Sequence, residues 1–291
     1  MRTLAERSVD VKKIIALVSW AALSACLNAQ ITLGPTVGTF GVLAGSTVTS
    51  TGATAVTGNL GVWPGTAITG ITGIAPGGSG TVSGTIYSSD PAGVAKQAQS
   101  ELTAAYNAAS AVAFTHTPTE DVGGQTLPPG VYTAGSSLEI TGNVTLDAQN
   151  DPNAQFIFQI PSTLTANIGS SVTLIRGAVP ANVFWQVGSS ATIGVGVPFS
   201  GNILAFSSIT INTNATLQGR ALARNAAVTL HGNVITTPTG LGGSGGGPPT
   251  PPVPPAPGTP GPSSLILVAT ALGCAGIYQA RRRLLALFGR N

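Results

Sequence analysis

The chain has 291 residues and a formal net charge of +3, but only 7% of its residues are charged. The positive excess sits at the two ends: from Gln30 to Pro238 four basic residues face seven acidic ones, a net −3. Nucleic-acid binding, which rests on clustered Lys and Arg neutralising phosphates, is therefore excluded for the body. The same stretch is rich in Val, Ile and Thr, which marks a folded β-rich body long enough for one all-β domain rather than a disordered chain.

Residues 1–29 open with charges ending in Lys12 and Lys13, continue through the apolar run "IIALVSWAALSAC" and finish in small residues, the pattern of an export signal. Two processing sites compete. Cleavage after Ala29 is one, and cleavage before Cys26 is the other, because "LSAC" resembles a bacterial lipobox and would leave Cys26 lipidated.

Over 30–238 one phrase recurs: "AGSTVT" from Ala44, "AGSSLE" from Ala134, "IPSTLT" from Ile160, "VGSSAT" from Val187, "AFSSIT" from Ala205 and "RNAAVT" from Arg224. Successive steps from Ser137 are 26, 27, 18 and 19 residues, an irregular coil length that fits a β-solenoid and not a propeller. A second phrase, "TGNL", "TGNV", "SGNI", "LQGR" and "HGNV", keeps step with the first and predicts glycine-marked corners, with Asn beside them able to bond neighbouring backbone.

Strand alternation assigns the faces. Val48, Leu138, Leu164, Ala191, Ile209 and Val228 point inward, continued by Ile140, Ile193, Ile211 and Leu230. Thr47 and Thr49, Ser137 and Glu139, Thr163 and Thr165, Ser190 and Thr192, Ser208 and Thr210, and Ala227 and Thr229 point outward as two files of mostly hydroxyl-bearing residues, about 4.8 Å apart from rung to rung. One segment breaks the β pattern. From Asp90 the residues Val94, Ala98, Leu102, Ala105, Ala109 and Val112 form an apolar stripe, which predicts a helix over about 91–112 with Asp90 as cap and Pro91 in its first turn.

Beyond the body, 239–264 is a Gly/Pro-rich linker and 265–291 is an apolar segment followed by Arg281, Arg282 and Arg283, which reads as a membrane-contacting tail. It resembles the C-terminal sorting tails of the PEP-CTERM type, without the Pro-Glu-Pro signature. Both cysteines, Cys26 and Cys274, fall in these end segments, so the body holds neither a disulfide framework nor a Cys-based metal site.

With repeats and helix in place, the body resembles the bacterial and fungal ice-binding protein family. The stretches that carry the likeness are "FGVLAGSTVTSTGATAVTGNLGV", "PGTAITG", the Ala-rich helix, "LPPGVYTAGSSLEITGNVTLDAQNDPNAQFIFQIPSTLT", "NVFWQVGSSATIGVGVPFSGNILAFSSITI" and "GRALARNAAVTL". The resemblance implies a right-handed triangular parallel β-helix, discontinuous in sequence order, with one long helix alongside. It also implies a non-enzymatic, exported monomer without cofactor that meets an ice crystal through a flat face. On the alternation above, that face carries Thr47, Thr49, Ser137, Thr163, Thr165, Ser190, Thr192, Ser208, Thr210, Ala227 and Thr229. The other use of such a scaffold is a cell-surface adhesin or matrix protein without action on ice.

β-Helices also host polysaccharide-cleaving enzymes, which need carboxylates arranged in a cleft. Asp147 and Asp151 in "LDAQNDPN" are the one close carboxylate pair near a coil, and their Asn/Pro neighbours mark them as turn residues. Glu120, Asp121 and His116 lie in an exposed loop without metal-ligand spacing, and Trp20, Trp63 and Trp185 form no motif. Catalytic and metal sites are therefore not expected.

Overall fold

Alternating β-branched strands broken by glycine corners can bury one side of each strand only by stacking turn upon turn, and the computed structural model shows that outcome. It describes residues 30–238 apart from 73–76 and 118–119; the expected export signal, linker and tail lie outside the described residues. All strand pairing is parallel and builds three faces. Face A stacks Gly130–Thr133, Phe156–Ile160, Val183–Val187, the second halves of Pro198–Ala205 and Thr216–Ala223, then Phe40–Ala44, Asn59–Val62 and Ile86–Tyr87. Face B stacks Leu138–Ile140, Leu164–Ala166, Ala191–Ile193, Ile209–Ile211, Val228–His231, Thr47–Thr51 and Ala67–Thr69. Face C takes Thr126–Leu127, Asn143–Asp147, Ser171–Ile175, the first halves of Pro198–Ala205 and Thr216–Ala223, Val234–Thr236, Ala55–Val56 and Thr81–Val82.

The stacking order is discontinuous in sequence. The first strands of the body, Phe40–Ala44 and Thr47–Thr51, lie on the last coil, against Thr216–Ala223 and Val228–His231. From Ile86–Tyr87 the chain must therefore return to the opposite end, across eight rungs of Face A or about 34 Å. The helix Val94–Ala111, 18 residues and about 27 Å long, makes most of that return. It starts later than the sequence suggests, because Gly93 adopts a left-handed φ of 74° and leaves Pro91 in the preceding turn. The cap residue is thus Gly93 and not Asp90, which instead reaches forward from the preceding turn and accepts from the Ala95 N–H at 2.6 Å.

The helix lays Ala95, Ala98, Leu102, Ala105 and Ala109 against Leu43, Val131, Ile157, Phe184, Leu204 and Leu222, the outward side chains of Face A. That face is thus buried on both sides. The Gln159 amide closes the helix by donating to the orphan carbonyls of Ala109 and Val112 at 2.8 and 2.7 Å. Inside the prism, Tyr132, Phe158 and Trp185 stack rung on rung with centroids 5.1 and 4.0 Å apart, and Phe199, from the Face C half of its strand, packs tilted against Trp185 at 5.1 Å. Trp185 satisfies its indole N–H on the Ser200 carbonyl at 3.0 Å, a packing role and not a surface platform.

The glycines of the second repeated phrase mark corners, as expected, and divide between two of them. Gly58, Gly201 and Gly219 turn from Face C to Face A, whereas Gly142 and Gly232 turn from Face B to Face C; all five have positive φ. The reason lies in coil length. The 26- and 27-residue coils place their extra residues, 148–155 and 176–182, at the C-to-A corner, while the shorter coils pass that corner inside the continuous strands Pro198–Ala205 and Thr216–Ala223.

Candidate functional site

On Face B the register aligns Glu139, Thr165, Thr192, Thr210, Thr229, Thr49 and Thr69 as direct neighbours. Six threonines follow one another without interruption. Their inward neighbours Leu138, Ile140, Leu164, Ile193, Ile209, Ile211, Val228 and Leu230 are 0–1% exposed, so the alternation that sets the file is enforced by burial. The sequence-derived inward and outward assignments hold at these positions. A flanking file two residues earlier runs Ser137, Thr163, Ser190, Ser208, Ala227, Thr47 and Ala67, about 6.6 Å from the first.

The two files differ in how their hydroxyls are used. In the flanking file, Ser137 bonds Thr163 at 2.8 Å and Ser190 bonds Ser208 at 2.9 Å. In the threonine file no hydroxyl bonds to another described residue, so each is left to solvent. The β-branched side chains still hold their orientation, because two heavy atoms on Cβ restrict χ1 without a hydrogen bond. All eleven residues expected at the site are brought onto this face. Thr69 was missed; "TAIT" from Thr66 repeats the small-apolar-Thr phrase closely enough to have found it.

Face B is also the face that geometry leaves available. Face A lies under the helix, and Face C loses its ladder between Ser171–Ile175 and Pro198–Ala205, where its three-stranded part stops. Face B runs unbroken through seven strands, about 29 Å from the first to the last.

Its charge is confined to the margins. Glu139 sits on the first strand of the stack, beside Asp121, with which it forms an isolated bridge, and both border a shallow depression with Glu120, Ser136 and Ser137. Burial pushes the Asp121 carboxyl up, but hydrogen bonds from the Thr141 hydroxyl and the Gly123 and Thr141 amides outweigh it and hold the group below its ordinary value. At the other side His231 pairs with Thr51 at 2.8 Å.

The remaining polar candidates have structural partners. Asp147 is ion-paired with Arg176, whose hydrogen bond holds the carboxyl below its ordinary range, and Asp151 accepts from the Asn153 amide at 2.9 Å as a turn residue. His116 stacks on Tyr132 at 4.8 Å. Among the described residues no group of three His, Cys, Asp or Glu side chains converges as a metal site.

A three-faced parallel solenoid with a helix sealing one face and an uncharged threonine file on another defines an ice-binding-like β-helix. Residues 42–236 match the family model described as Ice-binding-like, and the chain belongs to that family. It is 46% identical over 226 residues to an ice-binding protein of Nostoc sp. (strain HG1), covering 77% of this chain and 81% of that one. An ice-binding protein of Colwellia sp is 37% identical over 215 residues, covering 69% and 82%. Among solved structures, an ice binding protein from an Antarctic Biological Consortium superposes with a TM-score of 0.66 at 46% identity, over 72% of this chain and 92% of that one. One from the Antarctic ascomycete Antarctomyces psychrotrophicus gives 0.66 at 34% identity, over 73% and 100%.

Proposed function

We propose that the protein is exported and binds ice, adsorbing through Face B and thereby shaping crystals and inhibiting their recrystallisation. The observation that carries this reading is the unbroken file Thr165, Thr192, Thr210, Thr229, Thr49 and Thr69 on the one continuous face that stays uncovered among the described residues, in a member of this family.

The physical basis is hydration. Charged groups hold their own water shells, whereas methyls and unpaired hydroxyls at fixed spacing hold first-shell water weakly enough for it to take up the order of a crystal. A β-helix loses little conformational freedom on contact, so most of the interaction appears as adsorption. Each rung contributes little, but the rungs engage together, and release requires all of them to let go at once. No chemical step is involved.

The test is ice recrystallisation inhibition together with crystal habit, using purified residues 30–238. Arrested coarsening and faceted crystals at micromolar protein support the assignment; coarsening at the buffer rate with rounded discs rejects it.

A further inference from the structure

Successive threonines of the Face B file stand 18–27 residues apart along the chain, with one exception: Thr229 and Thr49 are 180 residues apart. At that seam Phe40–Ala44 and Thr47–Thr51 dock on Thr216–Ala223 and Val228–His231 by non-covalent contact. Thr49 and Thr69 therefore belong to the file only while the seam keeps its register.

A buried polar column crosses the seam along the C-to-A edge. Asn202, 0% exposed, donates through Nδ2 to the carbonyls of Pro180, Ala181 and Val183 at 3.2, 3.1 and 3.1 Å. Its Oδ1 accepts from Nη1 of Arg220, its neighbour on the next coil, at 2.9 Å. Arg220 Nε and Nη2 donate to the Gly38 carbonyl at 3.1 and 2.7 Å, and Nη2 reaches the Pro238 carbonyl at 3.5 Å. Gly38 lies in the 3-10 turn Val37–Thr39, which leads into Phe40–Ala44. At the start of that turn the Thr36 and Val37 amides both donate to Oε2 of Glu101, on the helix Val94–Ala111, at 2.8 Å each. Glycine at position 34 lets the carboxylate approach, since a Cβ there would lie 2.3 Å from Oε2.

Arg220 is 1% exposed, and burial pushes its guanidinium down to about 10, so it is held inside as a cation at neutral pH. Among the described residues no carboxylate pairs with it directly, and burying an unpaired cation is costly. Glu101 supplies the opposite charge through the turn. The carbonyl of the turn faces the guanidinium and its leading amides face the carboxylate, so the peptide dipoles favour both charges.

We infer that Arg220 and Glu101 are positioning residues for the ice-contacting face: the turn they grip latches the two coils that carry Thr49 and Thr69 onto the stack, in register with Thr229. The inference rests on the reading of Face B given above. With the latch open the file stops at Thr229, four threonines long, while the coils on the other side of the seam keep their own pairing.

The experiment takes the full chain with Cys26→Ser and Cys274→Ser as background. It adds Glu101→Ala, alone and combined with Ser46→Cys and Ala226→Cys. Those two positions meet across the seam, off the threonine file, where the Ala226 carbonyl accepts from the Gly45 and Ser46 amides at 3.0 and 3.3 Å. An oxidised pair holds the seam shut without Glu101. Amide hydrogen exchange is read strand by strand beside the end point of recrystallisation inhibition. For Glu101→Ala the expected result is faster exchange confined to Thr47–Thr51 and Ala67–Thr69, with Ile209–Ile211 unchanged, and an end point about fivefold higher for two lost rungs. Oxidation of the cysteine pair returns the end point to the background value, and reduction raises it again. Exchange that quickens in every strand, an unchanged end point, or one that oxidation does not restore overturns the inference. Arg220→Met gives the same pattern and the same rescue; it is the harsher variant, and Glu101→Ala decides the question if it does not fold. A background chain that does not arrest coarsening rejects the reading of Face B, and this role with it, whatever the exchange shows.

Discussion

Replacing Thr192 and Thr210 by tyrosine places two rings side by side in the middle of the threonine file, on strands Ala191–Ile193 and Ile209–Ile211. The longest uninterrupted run then falls from six threonines to three, namely Thr229, Thr49 and Thr69. Three lost rungs at roughly 0.5 kcal/mol each, the scale of a weak net hydrogen bond, come to ~1.5 kcal/mol, or about a tenfold loss in adsorption. Because free energies add over rungs engaged together, the loss appears as a shift of the recrystallisation end point to at least about tenfold higher protein concentration. Stability changes little. Outward-facing substitutions cost within about 0.5 kcal/mol each, so the melting temperature moves by no more than about 4 °C. The assay is a dilution series of recrystallisation inhibition beside a thermal melt. A folded double variant with the wild-type end point would refute the assignment of this face.

Three further outcomes are expected. Glu139→Thr extends the file by one rung and removes a charge from its margin; it lowers the recrystallisation end point by about twofold, for a rung worth ~0.5 kcal/mol. Trp185→Ala empties the space between Phe158 and Phe199 and costs about 3–5 kcal/mol, which lowers the melting temperature by about 6–20 °C, yet leaves the end point near 0 °C unchanged because Face B is not touched. Arg176→Gln flattens the acid side of the stability profile. The Arg176 hydrogen bond lowers the Asp147 pKa from 3.8, so its contribution is present above that value and lost as pH falls through the folded one. Urea midpoints from neutral pH down to about pH 2 decline less steeply in the variant, and parallel declines would contradict the pairing.

Legibility in the sequence followed the strength of the periodic signal. Face B was readable because its strands alternate: "SSATI" and "SSITI" place one apolar residue between two hydroxyls, and burial of Ala191, Ile193, Ile209 and Ile211 leaves one choice of face. Face A gave no such alternation. "FIFQI" and "VFWQV" are apolar throughout because one side meets the core and the other meets the helix, a partner supplied by tertiary packing. The corners were readable as corners, because a Gly-Asn pair marks positive φ, but not which corner each serves; only the strand register separates Gly201 and Gly219 from Gly142 and Gly232. Thr69 was legible too, since "TAIT" carries alanine where "AAVT" of the Thr229 coil also does, and it completes the file.

The central claim is tested most directly by watching the protein on ice. Residues 30–238 carrying one fluorophore at Asn225, exposed and off the threonine file, are applied to a single ice crystal that is then washed with protein-free solution held just below freezing. Fluorescence that stays on the crystal after washing, and is absent for the double tyrosine variant, is the predicted result. Fluorescence that washes away at the same rate for both would contradict the account.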